Sequence, residues 1–110
     1  MNLINRMAIV VRPKEPYCAW ARSLADTSPI DELAPRDLCS VYLVDEKHVE
    51  DPQKVVRRHY GEVFVEMLES WYTLEEAWPA RRTWKMFQEW FEAEVIEMVF
   101  DLSKRQLEWD

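Results

Sequence analysis

A chain of 110 residues with a single glycine, Gly61, has few ways to turn tightly. All-β folds built on many short turns use glycine repeatedly, and loops that cradle phosphate need it in runs. Both are poor first readings of this chain. Hydrophobic residues make up 48% of the sequence and aromatics 13%, which separates it from disordered compositions. At this length about two-thirds of the extended-chain surface is buried on folding, enough for one core. The reading is therefore a single domain spanning residues 1–110.

Two short segments read as strands. Met7-Ala8-Ile9-Val10-Val11 is continuously apolar and β-branched, the pattern of a strand buried on both faces. Val41-Tyr42-Leu43-Val44 is the second, ended by Asp45-Glu46-Lys47. Between them, Pro16 stands in the first turn of a helix whose Tyr17, Trp20, Ala21 and Leu24 share one face. That helix fades at Asp26-Thr27-Ser28-Pro29. An irregular connection over residues 26–38 follows, with room for one turn at Ile30 to Leu33. Strand, helix, strand over about 40 residues fits a right-handed parallel βαβ unit. Antiparallel pairing stays open, because periodicity does not set direction.

Asp51-Pro52 marks a helix start, with an N-cap residue followed by proline at N1. The helix should run to about Trp71, with Val56, Tyr60, Val63, Met67 and Trp71 as its stripe, widened by Phe64 and Leu68. Gly61 sits inside it, either for close approach of another backbone or on an exposed face. Thr73-Leu74-Glu75-Glu76 has the form of a capping box and predicts a short turn ended by Trp78-Pro79. The spacing of Phe87, Phe91, Val95, Met98 and Leu102 predicts a third helix over 83–104. The fold class is thus α+β: a small β-α-β-α-α domain, its two-stranded sheet packed against two long helices. Two strands are a marginal sheet. Edge pairing between two copies would extend it to four, so a homodimer is one expectation.

The first eleven residues lack the long apolar stretch of a signal peptide, and the longest uncharged run near the middle, Leu38 to Val44, is far short of a membrane span. The expectation is a cytoplasmic chain without a membrane partner. Cys18 and Cys39 form no CxxC pair and read as buried free thiols.

Fourteen basic residues face 21 acidic ones, for a net charge of -7. That opposes nucleic-acid binding, which relies on neutralising phosphates. The surplus lies beyond residue 38, leaving local basic pairs at Arg12 with Lys14, Arg57 with Arg58, and Arg81 with Arg82. Arg12 and Lys14 flank the entry to the first helix, and Arg81 and Arg82 stand before the third. Cations there oppose the helix dipole unless something negative offsets them. Either an anionic ligand or the chain's own carboxylates can do so. Trp78 and Trp84 bracket Arg81-Arg82, and aromatic rings beside arginine are the composition of a binding hot spot or of internal Trp–Arg stacking. Trp20, Trp71 and Trp90 fall on apolar stripes and read as core.

No catalytic pattern is present. Gly-x-Ser-x-Gly is absent, and Ser23, Ser28, Ser40, Ser70 and Ser103 carry no activating context. Glu94, Glu97 and Asp101 would share a face of a third helix, as His59, Glu62 and Glu66 share one on the second. Such faces read as solvated, because the paired Glu-x-x-His signature of a di-metal bundle is missing. His48 reads as a surface residue. No metal or cofactor is expected.

The run Val10-Val11-Arg12-Pro13-Lys14-Glu15-Pro16-Tyr17, followed by Trp20, resembles a group of small uncharacterised bacterial proteins. These begin with an apolar strand and an Arg-Pro-Lys-x-Pro-aromatic segment. They continue with a strand like Val41 to Val44, a Trp-Pro turn like Trp78-Pro79, and an aromatic helix like Phe87-Gln88-Glu89-Trp90-Phe91. The resemblance covers most of the chain. It implies a bacterial cytoplasmic protein and carries no activity with it.

The sequence points to a non-enzymatic interaction or regulatory module, binding another protein or a second copy of itself. Its expected contact surface joins Arg12 and Lys14 to Trp78, Arg81, Arg82 and Trp84. The alternative is a small-anion or phosphate-ligand binding protein, with or without catalysis, that uses the same cations. An acidic mimic of nucleic acid, presenting Glu92, Glu94, Glu97 and Asp101, is a variant of the first.

Overall fold

The computed structural model describes residues 2–24, 34–45 and 51–109. The predicted turn at Ile30 to Leu33, the helix fade at Asp26 to Pro29, and His48 lie outside the described residues. Eight elements follow in order: β1 (Asn2–Leu3), β2 (Met7–Pro13), α1 (Glu15–Ser23), β3 (Ser40–Val44), α2 (Pro52–Trp71), α3 (Trp84–Trp90), β4 (Phe91–Ile96) and β5 (Phe100–Asp101). Single 3-10 turns lie at Pro35–Asp37 and Glu75–Ala77. The class is α+β, as the sequence predicts.

The order of the main sheet is β3-β2-β4, and both pairings are antiparallel. The parallel βαβ reading is therefore corrected. After α1 the chain returns to the C-terminal end of β2, the end it left, so that Val11 pairs with Ser40 and Met7 with Val44. The predicted third helix is also corrected. It stops at Trp90, and Phe91–Ile96 pairs with β2 along its length, Pro13 opposite Phe91 and Ala8 opposite Ile96. A central strand must satisfy backbone N–H and C=O groups on both edges. β2 is apolar on both faces and sits inside the sheet, so a second neighbour is required. Met98 and Leu102, the lower end of the supposed helical stripe, are 64% and 75% exposed. β1 and β5 form a separate two-stranded ribbon, Leu3 opposite Phe100.

One face of the sheet carries the core. Ile9 and Val11 are fully buried, and Tyr42 and Val95 lie opposite Ile9 on the same face. The helices close over it. α2 starts where the sequence places it, with the Asp51 carboxylate accepting the Gln53 N–H at 3.1 Å. Its predicted stripe is buried apart from half-buried Tyr60. The Phe64 ring meets Phe91 edge-on, with centroids 5.2 Å apart, and lies 5.5 Å from Trp90. Tyr17 of α1 is fully buried, and its hydroxyl donates to the Met67 carbonyl at 2.6 Å. Trp71 is buried; Trp20 and Trp90 pack half-buried against the core. Cys18 is buried, but Cys39 is exposed, because it precedes β3 instead of opening it; both thiols are free. The Thr73 capping box does not form, since the turn is capped at Leu74 without a side-chain bond.

Gly61 is exposed, and a methyl group added there would meet nothing within 4 Å. Close backbone approach is thereby excluded as its reason among the described residues. Gly61→Ala should raise stability by about 0.5–1 kcal/mol, through helix propensity and a less disordered unfolded chain. Urea unfolding should show a higher midpoint with an unchanged slope; a lower midpoint would contradict the open space at Gly61.

Candidate functional site

Five of the six residues nominated by the sequence have partners among the described residues. Arg12 lies on the sheet face away from the core, its Nη1 3.4 Å from Glu94 Oε2. Both side chains are about half exposed, so the pair contributes little to stability. Lys14 donates from Nζ to the Gln88 carbonyl and from its backbone N–H to the Trp90 carbonyl, both at 2.8–2.9 Å. Trp78 donates from Nε1 to the Tyr72 carbonyl at 2.7 Å, and Arg82 from Nη1 to the Pro79 carbonyl at 2.8 Å. Arg81 is exposed. The Trp84 ring lies parallel to Phe87, with centroids 5.9 Å apart, and Arg57 Cζ sits 5.9 Å from its centroid.

Lys14 and Trp84 do share a place. They line a shallow cleft of about 190 Å³ with Gln53 and Gln88. A neighbouring hollow of about 250 Å³ adds Lys54 and Arg57 and shares Gln53, Trp84 and Gln88. Three cations thus gather around one tryptophan, with Asp51 and Glu92 at the margins. Arg12 and Arg81 line neither hollow. The acidic helix face proposed for Glu94, Glu97 and Asp101 does not exist, because Glu94 is in β4 and Asp101 in β5. Among the described residues no group of His, Cys, Asp and Glu stands close enough to hold a metal, and no helix is long and apolar enough to cross a membrane.

A cleft larger than either of these hollows lies elsewhere, at the open face of the sheet. It measures about 740 Å³ and is lined by Leu3, Ile4, Asn5 and Arg6, by Leu43, and by Leu107 to Trp109 of the C-terminal arm. Register explains its apolar floor. Alternation that turns Tyr42 and Val44 to the core turns Val41 and Leu43 outward, and they are 59% and 47% exposed. Leu3 and Phe100 are cross-strand partners in the ribbon, exposed at 58% and 47%. Of nine exposed large apolar residues among those described, seven lie on β3, the ribbon and the arm that follows it; Leu74 and Met98 lie outside. Arg12, Glu92 and Glu94 form a charged margin at the other end of the same face.

The groups with shifted proton affinity are Tyr17, Cys18 and Tyr42, each pushed above its ordinary value chiefly by burial. None of them lines these clefts, so the shifts report core packing and not acid–base chemistry.

No protein-family model, curated protein or solved structure matches the chain.

The sequence alone does not single out Leu3, Leu43, Leu107 and Trp109 as surface residues. A signal was available: Val41 to Val44 is apolar at every position, and a strand apolar on both faces needs cover on both.

Proposed function

We propose that this chain is a non-enzymatic interaction module that docks through the apolar open face of its sheet and the adjoining cleft. The carrying observation is the concentration of exposed large apolar side chains on β3, the ribbon and the C-terminal arm. Soluble monomers rarely expose contiguous apolar patches beyond a few hundred Å², and larger ones mark binding surfaces. The charged margin at Arg12 and Glu94 is the polar rim that such interfaces carry. A bacterial cytoplasmic setting belongs to the same reading and is supported by the resemblance of the Arg12 to Tyr17 segment.

A photo-crosslinking amino acid at position 41 or 43, introduced in living cells, should give adducts. The same group at exposed Glu69 on α2 should give none, and Leu43→Lys should abolish the adduct formed from position 41. Absence of adducts from positions 41 and 43, or equal capture from position 69, would sink the reading.

A second reading is favoured by the Lys14, Lys54 and Arg57 cluster around Trp84, which is unusual in a chain of net charge -7. It is binding of a small anion at that hollow. The Trp84 ring is already engaged by Phe87 and Arg57, which favours a phosphate or carboxylate group over a stacked base.

A further inference from the structure

The cleft and a group shaped to fill it occur in the same chain. Trp109 stands at the wall of the 740 Å³ cleft yet is 100% exposed, so the single chain gains nothing from its indole. Leu107, two residues earlier in the same extended arm, is 61% exposed. Resting on the interaction reading above, we propose that the occupant of the open face is a second copy of this chain. Each copy keeps its arm as a wall of its own cleft, and Trp109 of each reaches from that wall into the cleft beside Leu43 of the other.

Three features favour this occupant. The contact is reciprocal, arm into cleft and cleft around arm, which is the self-complementary arrangement that closes a twofold dimer. The area suffices. Seven large apolar side chains on β3, the ribbon and the arm are 47–100% exposed, enough to supply the roughly 800 Å² that one partner contributes to a standard interface. Charge agrees locally. Glu108 precedes the inserting indole, and Arg6 lines the cleft with its side chain 40% exposed, donating to the Asn5 carbonyl at 2.9 Å and pairing with Asp45 at 3.6 Å on the surface. At longer range, two copies each of charge -7 repel, so added salt should strengthen the association.

Sedimentation equilibrium of the purified full chain tests this. The expected mass rises with concentration to twice 13.3 kDa, and more readily in higher salt. Trp109→Ala removes the plug from a fully exposed position, and Leu43→Lys spoils the cleft. Each variant alone should dimerise at least tenfold more weakly, with an unchanged circular dichroism spectrum. Mixed together they should recover association, because the mixed pair restores one intact arm in one intact cleft. A wild-type chain that stays monomeric, a Trp109→Ala variant that dimerises normally, or no recovery on mixing would each overturn this pairing. If crosslinks from positions 41 and 43 then capture a different protein, the interaction reading stands while the second copy fails. If they capture nothing, both fail.

Discussion

Phe64→Ala is expected to remove about 3–5 kcal/mol of folding stability, a large share of the roughly 5–15 kcal/mol a domain holds in reserve. Phe64 is fully buried at the middle of α2. Its ring touches Phe87 at 6.0 Å, Trp90 at 5.5 Å and Phe91 at 5.2 Å. Those three residues span the junction where α3 passes into β4. Removing the ring therefore leaves a cavity between α2 and the segment that supplies the third strand, and close-packed neighbours fill such cavities only in part. The melting temperature should fall on the order of 15 °C or more. Phe64→Leu, which keeps most of the volume, should cost markedly less. A loss below about 1 kcal/mol for the alanine variant would mean that the ring is not packed as described. Gly61→Ala, three residues away on the exposed side of the same helix, should move stability the other way, so the pair reports which face of α2 is inside.

The second large effect is alkaline unfolding. The Tyr17 phenol is pushed above its ordinary value near 10, first by burial and then by the neighbouring Cys18 and Tyr42. Its hydrogen bond to the Met67 carbonyl also requires the proton. Tyr42 and Cys18 are raised in the same direction, again mainly by burial. An acid held neutral in the folded state contributes no penalty while the unfolded chain is also protonated. Above the unfolded value the unfolded chain binds fewer protons, so stability falls with rising pH. For Tyr17 the slope should approach roughly 1 kcal/mol per pH unit above about pH 10. Tyr17→Phe should cost about 1 kcal/mol at pH 7, where the hydrogen bond is lost. Its deficit should then shrink and reverse between about pH 10 and 11.5. Urea midpoints measured from pH 7 to 11.5 give both curves. Parallel curves would show that Tyr17 is not the group whose ionisation opens the core.

The legible and illegible parts of this fold divide for a physical reason. α2 was readable to the residue, because Asp51, Pro52 and a seven-residue apolar stripe are local signals that agree. The segment after Trp90 was not. Phe91 and Val95 are four apart, a spacing that satisfies a helical face and a strand face alike. The Glu92, Ala93, Glu94, Val95 alternation was the cue for a strand. The nominated site was equally indistinct: the sequence showed which residues are cationic or aromatic, but not that Glu94 on β4 would meet Arg12 on the neighbouring β2.

The sequence by itself determined the class, the buried strand β2, the two earlier helices and the absence of a tight-turn fold, since each rests on periodicity and capping within one segment. Tertiary structure decided strand direction, the switch from α3 to β4, and which apolar residues remain outside. Those depend on backbone groups of β2 seeking partners along both edges, and on helices that cover only one face of the resulting sheet. The uncovered face, with Leu43 and the cleft below Trp109, is a property of that assembly and of no single segment.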